Sequence, residues 1–112
     1  MAYFKCGNVS GNDDSMEWKF WTNTQDSTST SSIKKYQLPP KFNELLIHTD
    51  ITNSNYYNST LILGKPVIEN MVTNSKTYFI ESYTGSALQP NKLTVNSSNL
   101  LCSDVALYIY YR

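Results

Sequence analysis

The sequence predicts an all-β fold, an antiparallel β-sandwich of jelly-roll-like form with about seven to nine short strands in one domain over residues 1–112. Three observations predict it. Apolar and polar residues alternate with period two in several short segments, turn residues recur at intervals of about ten residues, and no segment shows sustained helical periodicity. At 112 residues the chain can build one two-layer core and no second one.

The elements follow in order. In Met16–Trp21 the alternation sets Met16, Trp18 and Phe20 on the inward face and Glu17, Lys19 and Trp21 on the outward one. Residues 22–32, rich in Ser and Thr, hold nothing that could bury apolar area and read as a flexible polar loop. Ile33–Gln37 is a short strand stopped by Leu38-Pro39-Pro40, because neither proline can donate to a ladder. Asn43–Ile51 alternates, with Leu45, Ile47, Thr49 and Ile51 on one face and Glu44, Leu46, His48 and Asp50 on the other. A hairpin turn at Thr52–Asn55 leads into a strand over Tyr56–Leu63, closed by Gly64-Lys65-Pro66. A shorter strand, Val67–Met71, is expected next; a helix over Pro66–Val72 is the alternative, weakened by its length and its β-branched residues. Lys76–Tyr83 lies between the turns Thr73–Ser75 and Thr84–Ser86, and Lys92–Asn96 and Val105–Arg112 complete the set. The last segment, rich in Tyr and Ile, must be paired and half-buried to avoid fraying or aggregation.

Composition narrows the function classes. Nine basic and nine acidic residues cancel, so no long-range field gathers phosphate backbones or an anionic membrane, and neither nucleic-acid binding nor membrane insertion is expected. Ser, Thr and Asn make up 37 of the 112 residues, so uncharged polar groups coat a surface that Lys and Glu usually cover. The N-terminus lacks the apolar stretch of a secretory signal, which suggests synthesis and folding in a cytoplasm. Cys6 and Cys102 are therefore expected as free, half-buried thiols, with a disulfide left open because the end strands of a sandwich are often neighbours.

Motifs for chemistry are sparse, and no enzyme is expected. His48 and Asp50 share a face, yet no Gly-x-Ser-x-Gly elbow or other third partner completes a hydrolase triad. The run Asn12–Glu17 is oxygen-rich like a calcium loop but departs from EF-hand spacing, and a single histidine argues against a transition-metal site. No metal or other cofactor is expected. Three glycosylation-type triplets, at Asn8, Asn58 and Asn96, match the about three that chance supplies in so Asn- and Ser-rich a chain.

Outward aromatics are the feature able to carry function. The candidates are Trp21, Tyr108, Tyr110 and whichever of Tyr56 and Tyr57 faces outward, since neighbours on a strand alternate. Such side chains fill subunit interfaces and also stack on sugar rings; burial between subunits is the plainer use.

From Trp18 onward the order Trp18-Lys19-Phe20, a Ser/Thr-rich segment, Leu38-Pro39-Pro40, Phe42–Ile47 and a closing Tyr110-Tyr111-Arg112 resembles small C-terminal β-sandwich domains of phage tail-fibre, baseplate and head-fibre proteins. The resemblance implies a non-enzymatic virion structural module such as a capsid decoration. Its location would be the virion and its partners copies of itself, commonly as a homotrimer, other virion proteins and host cell-surface glycans. Unlike such domains, this sequence carries no coiled coil or collagen-like shaft before the sandwich, so a free-standing protein and a fragment are both compatible with it. A monomeric, lectin-like carbohydrate-binding module is the rival reading.

Overall fold

The computed structural model describes residues 17–22, 33–50, 57–83 and 87–112. Among them are eight strands: β1 (Lys19–Thr22), β2 (Lys34–Gln37), β3 (Glu44–Thr49), β4 (Thr60–Gly64), β5 (Tyr78–Tyr83), β6 (Leu88–Val95), β7 (Leu100–Ser103) and β8 (Leu107–Tyr111), with one helix, α1 (Lys65–Thr73), between β4 and β5. They form two four-stranded antiparallel sheets, β1-β8-β3-β4 and β2-β7-β6-β5, so the all-β sandwich is the fold. Pairing of the first strand with the eighth and the second with the seventh is that of a jelly roll. The inner strands depart from it, β3 pairing with β4 and β5 with β6.

The alternation in β3 and β8 is realised as expected. Leu45, Ile47, Thr49, Leu107 and Ile109 are fully buried, and across from them Tyr36, Ile80, Leu93, Val95 and Leu101 line the second sheet. Fully burying a side chain of this size contributes roughly 1.5–3 kcal/mol, so these two facing rows dominate stability. Two side chains tie the sheets together. The buried Tyr36 hydroxyl on β2 accepts a hydrogen bond from the Leu107 amide on β8 (3.0 Å), and the Trp21 indole N–H on β1 donates to the Gln37 carbonyl (2.6 Å). Burial pushes the Tyr36 hydroxyl above its ordinary pKa, and the Asp50 carboxylate adds to the rise; the Leu107 amide pulls the other way.

Four expectations need correction. First, Val67–Met71 is helix, not strand. Pro66 stands in the first turn, where its missing N–H costs nothing, and Ile68, Met71 and Val72 fall three and four apart on the face that closes one end of the sandwich. The helix ends with Ser75 in the left-handed region (φ 53°) and the Lys76 amide donating to the Met71 carbonyl (3.2 Å), the Schellman arrangement. Second, the phase of β1 is reversed. Phe20 is 54% exposed, whereas Trp21 is half-buried and packs against the core. The register shift between Phe20 and Thr22 marks a bulge, which also turns Thr22, expected in the loop, into the last residue of β1.

Third, the strand expected over Tyr56–Leu63 begins only at Thr60, and the one expected at Lys92 begins at Leu88. Pro90 is tolerated because β7 pairs only with Leu93, Thr94 and Val95, leaving the first half of β6 open on that side. Fourth, Leu100–Ser103 is a separate strand. Its turn is built by Asn96, whose side-chain oxygen accepts from the amides of Ser98 (2.8 Å) and Leu100 (3.1 Å), with Asn99 at φ 59°. Met16, Ile51, residues 23–32 and the turns at Thr52–Asn55 and Thr84–Ser86 lie outside the described residues. So does Cys6; Cys102 is a free, half-buried cysteine on β7.

Candidate functional site

Strand register assembles a site that no single segment contains. On the outward face of β1-β8-β3-β4, Phe20 pairs with Tyr110, Tyr110 with Leu46, and Leu46 with Ile62. Four apolar side chains thus form one row across all four strands, about 15 Å from the first strand to the last at a spacing of about 4.8 Å. Phe20 and Ile62, at its two ends, are 54% and 50% exposed. A second row, one pleat along, holds Tyr108, His48 and Thr60. The Phe20 ring packs against Tyr110 (5.5 Å between centroids, planes at 71°) and Tyr108 (6.4 Å, 59°).

Among the described residues, Glu44 and Arg112 lie together at one margin of this face. Arg112 Nε donates to the Glu44 carboxylate (2.7 Å), and its guanidinium lies over the Trp18 ring, 4.2 Å from the centroid. The pair neutralises itself, and neither row beside it contains a Lys, Arg, Asp or Glu side chain. His48 Nδ1 and the Thr60 hydroxyl are hydrogen-bonded at 2.7 Å, which occupies that ring nitrogen within the sheet surface. This is a strand residue held by its neighbour, and among the described residues no group of three or more His, Cys, Asp and Glu side chains is arranged to hold a metal. Residues 12–16 of the oxygen-rich run lie outside the described residues.

Of the aromatics singled out in the sequence, Tyr108 and Tyr110 stand on this outward face, half-buried between their neighbours. Trp21 does not. Its indole points between the sheets, edge-on to Tyr111 (5.9 Å, 87°). Tyr57 is exposed, at 63%, ahead of β4 and outside the two rows, and Tyr56 lies outside the described residues. The residues that sequence reasoning missed are Phe20, Leu46 and Ile62. Leu46 was visible as the one apolar member of the polar face of β3, a signal that gains meaning only once β4 and β8 are set beside it.

A second concavity lies at the end of the sandwich closed by α1. It is a cleft of about 530 Å³ walled by Trp21, Leu38, Pro40, Phe42, Ile68 and Val72. A smaller recess of about 370 Å³ adjoins it and shares Phe42 and Lys65. No protein-family model, curated protein or solved structure matches the chain. No helix among the described residues is long and apolar enough to cross a membrane.

Proposed function

We propose that the protein is a non-enzymatic structural module that self-associates through the outward face of β1-β8-β3-β4, as a surface component of a phage virion. The observation that carries the assembly part is the uncharged row Phe20, Tyr110, Leu46 and Ile62, with Tyr108 beside it. Contiguous exposed apolar and aromatic surface depleted of charge is characteristic of the centre of protein interfaces. The virion part is supported by the sequence resemblance to fibre and baseplate domains. Other virion proteins and host-surface glycans are the further partners it implies, and a homotrimer is the assembly it favours.

The rival, a monomeric glycan-binding module, is less well supported at this face. A sugar platform needs rings presented side by side with their faces outward, and here Phe20 stands steeply inclined to both tyrosines, with branched Leu46 and Ile62 completing the row. Sedimentation velocity decides between them. A stable oligomer that dissociates on Tyr110→Ser, with an unchanged far-UV circular dichroism spectrum, supports assembly; a monomer at all concentrations that scores on a glycan array supports the rival.

A further inference from the structure

The recess beside α1 points to a function separate from assembly. Lys19, Lys41, Lys65 and Arg112 all line it, with Phe42 and Tyr111 as apolar walls, in a chain whose net charge is zero. Two of the cations are seated on the rings of that wall. Lys65 Nζ lies 5.4 Å from the Phe42 ring centroid, and Lys19 Nζ lies 5.6 Å from that of Tyr111. Docking on a ring restricts a lysine before any ligand arrives, which reduces the rotamer entropy that capture of an anion normally costs. Glu44 is paired with Arg112, and among the described residues no carboxylate pairs with Lys41 or Lys65. Lys65 also opens α1, whose first turn contains no acidic residue; its own amide donates to the Asn43 carbonyl (2.8 Å), so it acts here through its ammonium group.

The adjoining cleft offers a surface for whatever carries the anion. Its walls, Trp21, Leu38, Pro40 and Phe42, are apolar, with the amides of Gln37 and Asn99 and the Glu69 carboxylate, an acceptor for hydroxyls, among them; the Gln37 amide donates to the Asn99 carbonyl (3.4 Å). Apolar and aromatic surface with a few amide groups matches a pyranose, which has C–H faces and hydroxyl edges. We propose that recess and cleft together bind a saccharide bearing a phosphate or carboxylate group, the oxyanion held by Lys41 and Lys65 and the ring lying against Phe42 and the cleft wall. The inference does not depend on self-association, because a monomer retains the whole site.

The test is amide chemical-shift mapping on the ¹⁵N-labelled full chain, made monomeric by Tyr110→Ser if the parent associates. The probes are glucose 1-phosphate, glucuronic acid, glucose and inorganic phosphate. At least one of the two anionic sugars should shift the amides of Lys41, Phe42, Lys65 and Arg112, with affinity falling as salt is raised; which of them does so identifies the oxyanion. Lys41→Gln with Lys65→Gln should weaken that binding by about tenfold or more with an unchanged melting temperature. Equal binding of glucose would overturn the anionic requirement, and equal binding of inorganic phosphate would overturn the saccharide. Shifts confined to the outward face of β1-β8-β3-β4, no binding by either sugar, or a double variant that binds like the parent would overturn the site.

Discussion

The outward faces of the two sheets are built on the same alternation and differ in what occupies the polar positions. On β2-β7-β6-β5 the outward residues include Lys35, Gln37, Glu81, Lys92 and Thr94, with Phe79 (52% exposed) paired directly with Lys92. Charge is spread among the apolar groups, as on a surface that stays in water. On β1-β8-β3-β4 Glu44 and Arg112 pair at one margin, and the described strand residues Phe20, Leu46, Ile62, Tyr108 and Tyr110 lie together with no charged side chain between them. Equal numbers of exposed hydrophobics therefore do not make equal surfaces. What distinguishes the two is contiguity across strands, a property of register that composition does not record.

The largest expected effect tests which side of its sheet each β1 aromatic serves. Trp21→Ser should cost about 2–4 kcal/mol of folding stability, since it removes both packing against Tyr111 and the indole bond to Gln37. Phe20→Ser, one residue away, should cost under about 1 kcal/mol, because its ring is half in water already. Urea melts of the two variants measure the difference; equal losses would mean that the faces of β1 are not distinct.

Tyr36 sharpens the contrast between the inner and outer faces. Its pKa is raised in the folded state, so the stability it contributes is fully present below about pH 10, the ordinary tyrosine value, and is lost as pH rises above that through the folded value. Tyr36→Phe should cost about 1–3 kcal/mol at neutral pH by leaving the Leu107 amide without its acceptor, and should flatten the alkaline loss. Urea midpoints between pH 8 and 11.5 read both effects; a Tyr36→Phe variant with the parent's alkaline slope would remove the burial of that hydroxyl as the cause.

Next in size are substitutions that compare the outer faces directly. Ile62→Lys should weaken self-association by about tenfold or more, by placing a charge within the uncharged row, whereas Phe79→Lys on the other sheet should leave it unchanged. Sedimentation at several concentrations separates them, and equal behaviour would remove the distinction between the faces. The smallest effect belongs to the charged margin. Glu44→Gln should cost at most about 1 kcal/mol, because the ion pair is partly exposed, and a thermal melt with added salt should narrow even that.

Particular residues show how far the sequence could be read. The inward positions of β3 and β8 were legible because alternation over five or six residues admits one phase once several large apolar groups coincide. In β1 the alternation was legible but its sign was not: Phe20 and Trp21 are both candidates for burial, and the bulge decides between them. Around Pro66 the β-branched residues argued for strand, while the spacing of Ile68, Met71 and Val72, which suits the end of the sandwich, prevailed. β7 escaped notice because four residues between two turns carry too short a pattern. The outward row was beyond sequence reading altogether, since its members come from four segments whose alignment is fixed only by pairing at long range.

The position of β8 in its sheet has a consequence for folding. It lies between β1 and β3, so the last of the eight strands in sequence is the one against which the first and third align. Until Leu107–Tyr111 takes its place, β1 and β3 lack the neighbour that pairs with both. Assembly of this sheet thus waits on contacts between distant parts of the sequence, which makes it slow. The strand acts as a keystone: the sheet closes around it in one step, and the elements that precede it cannot complete that half of the sandwich by themselves.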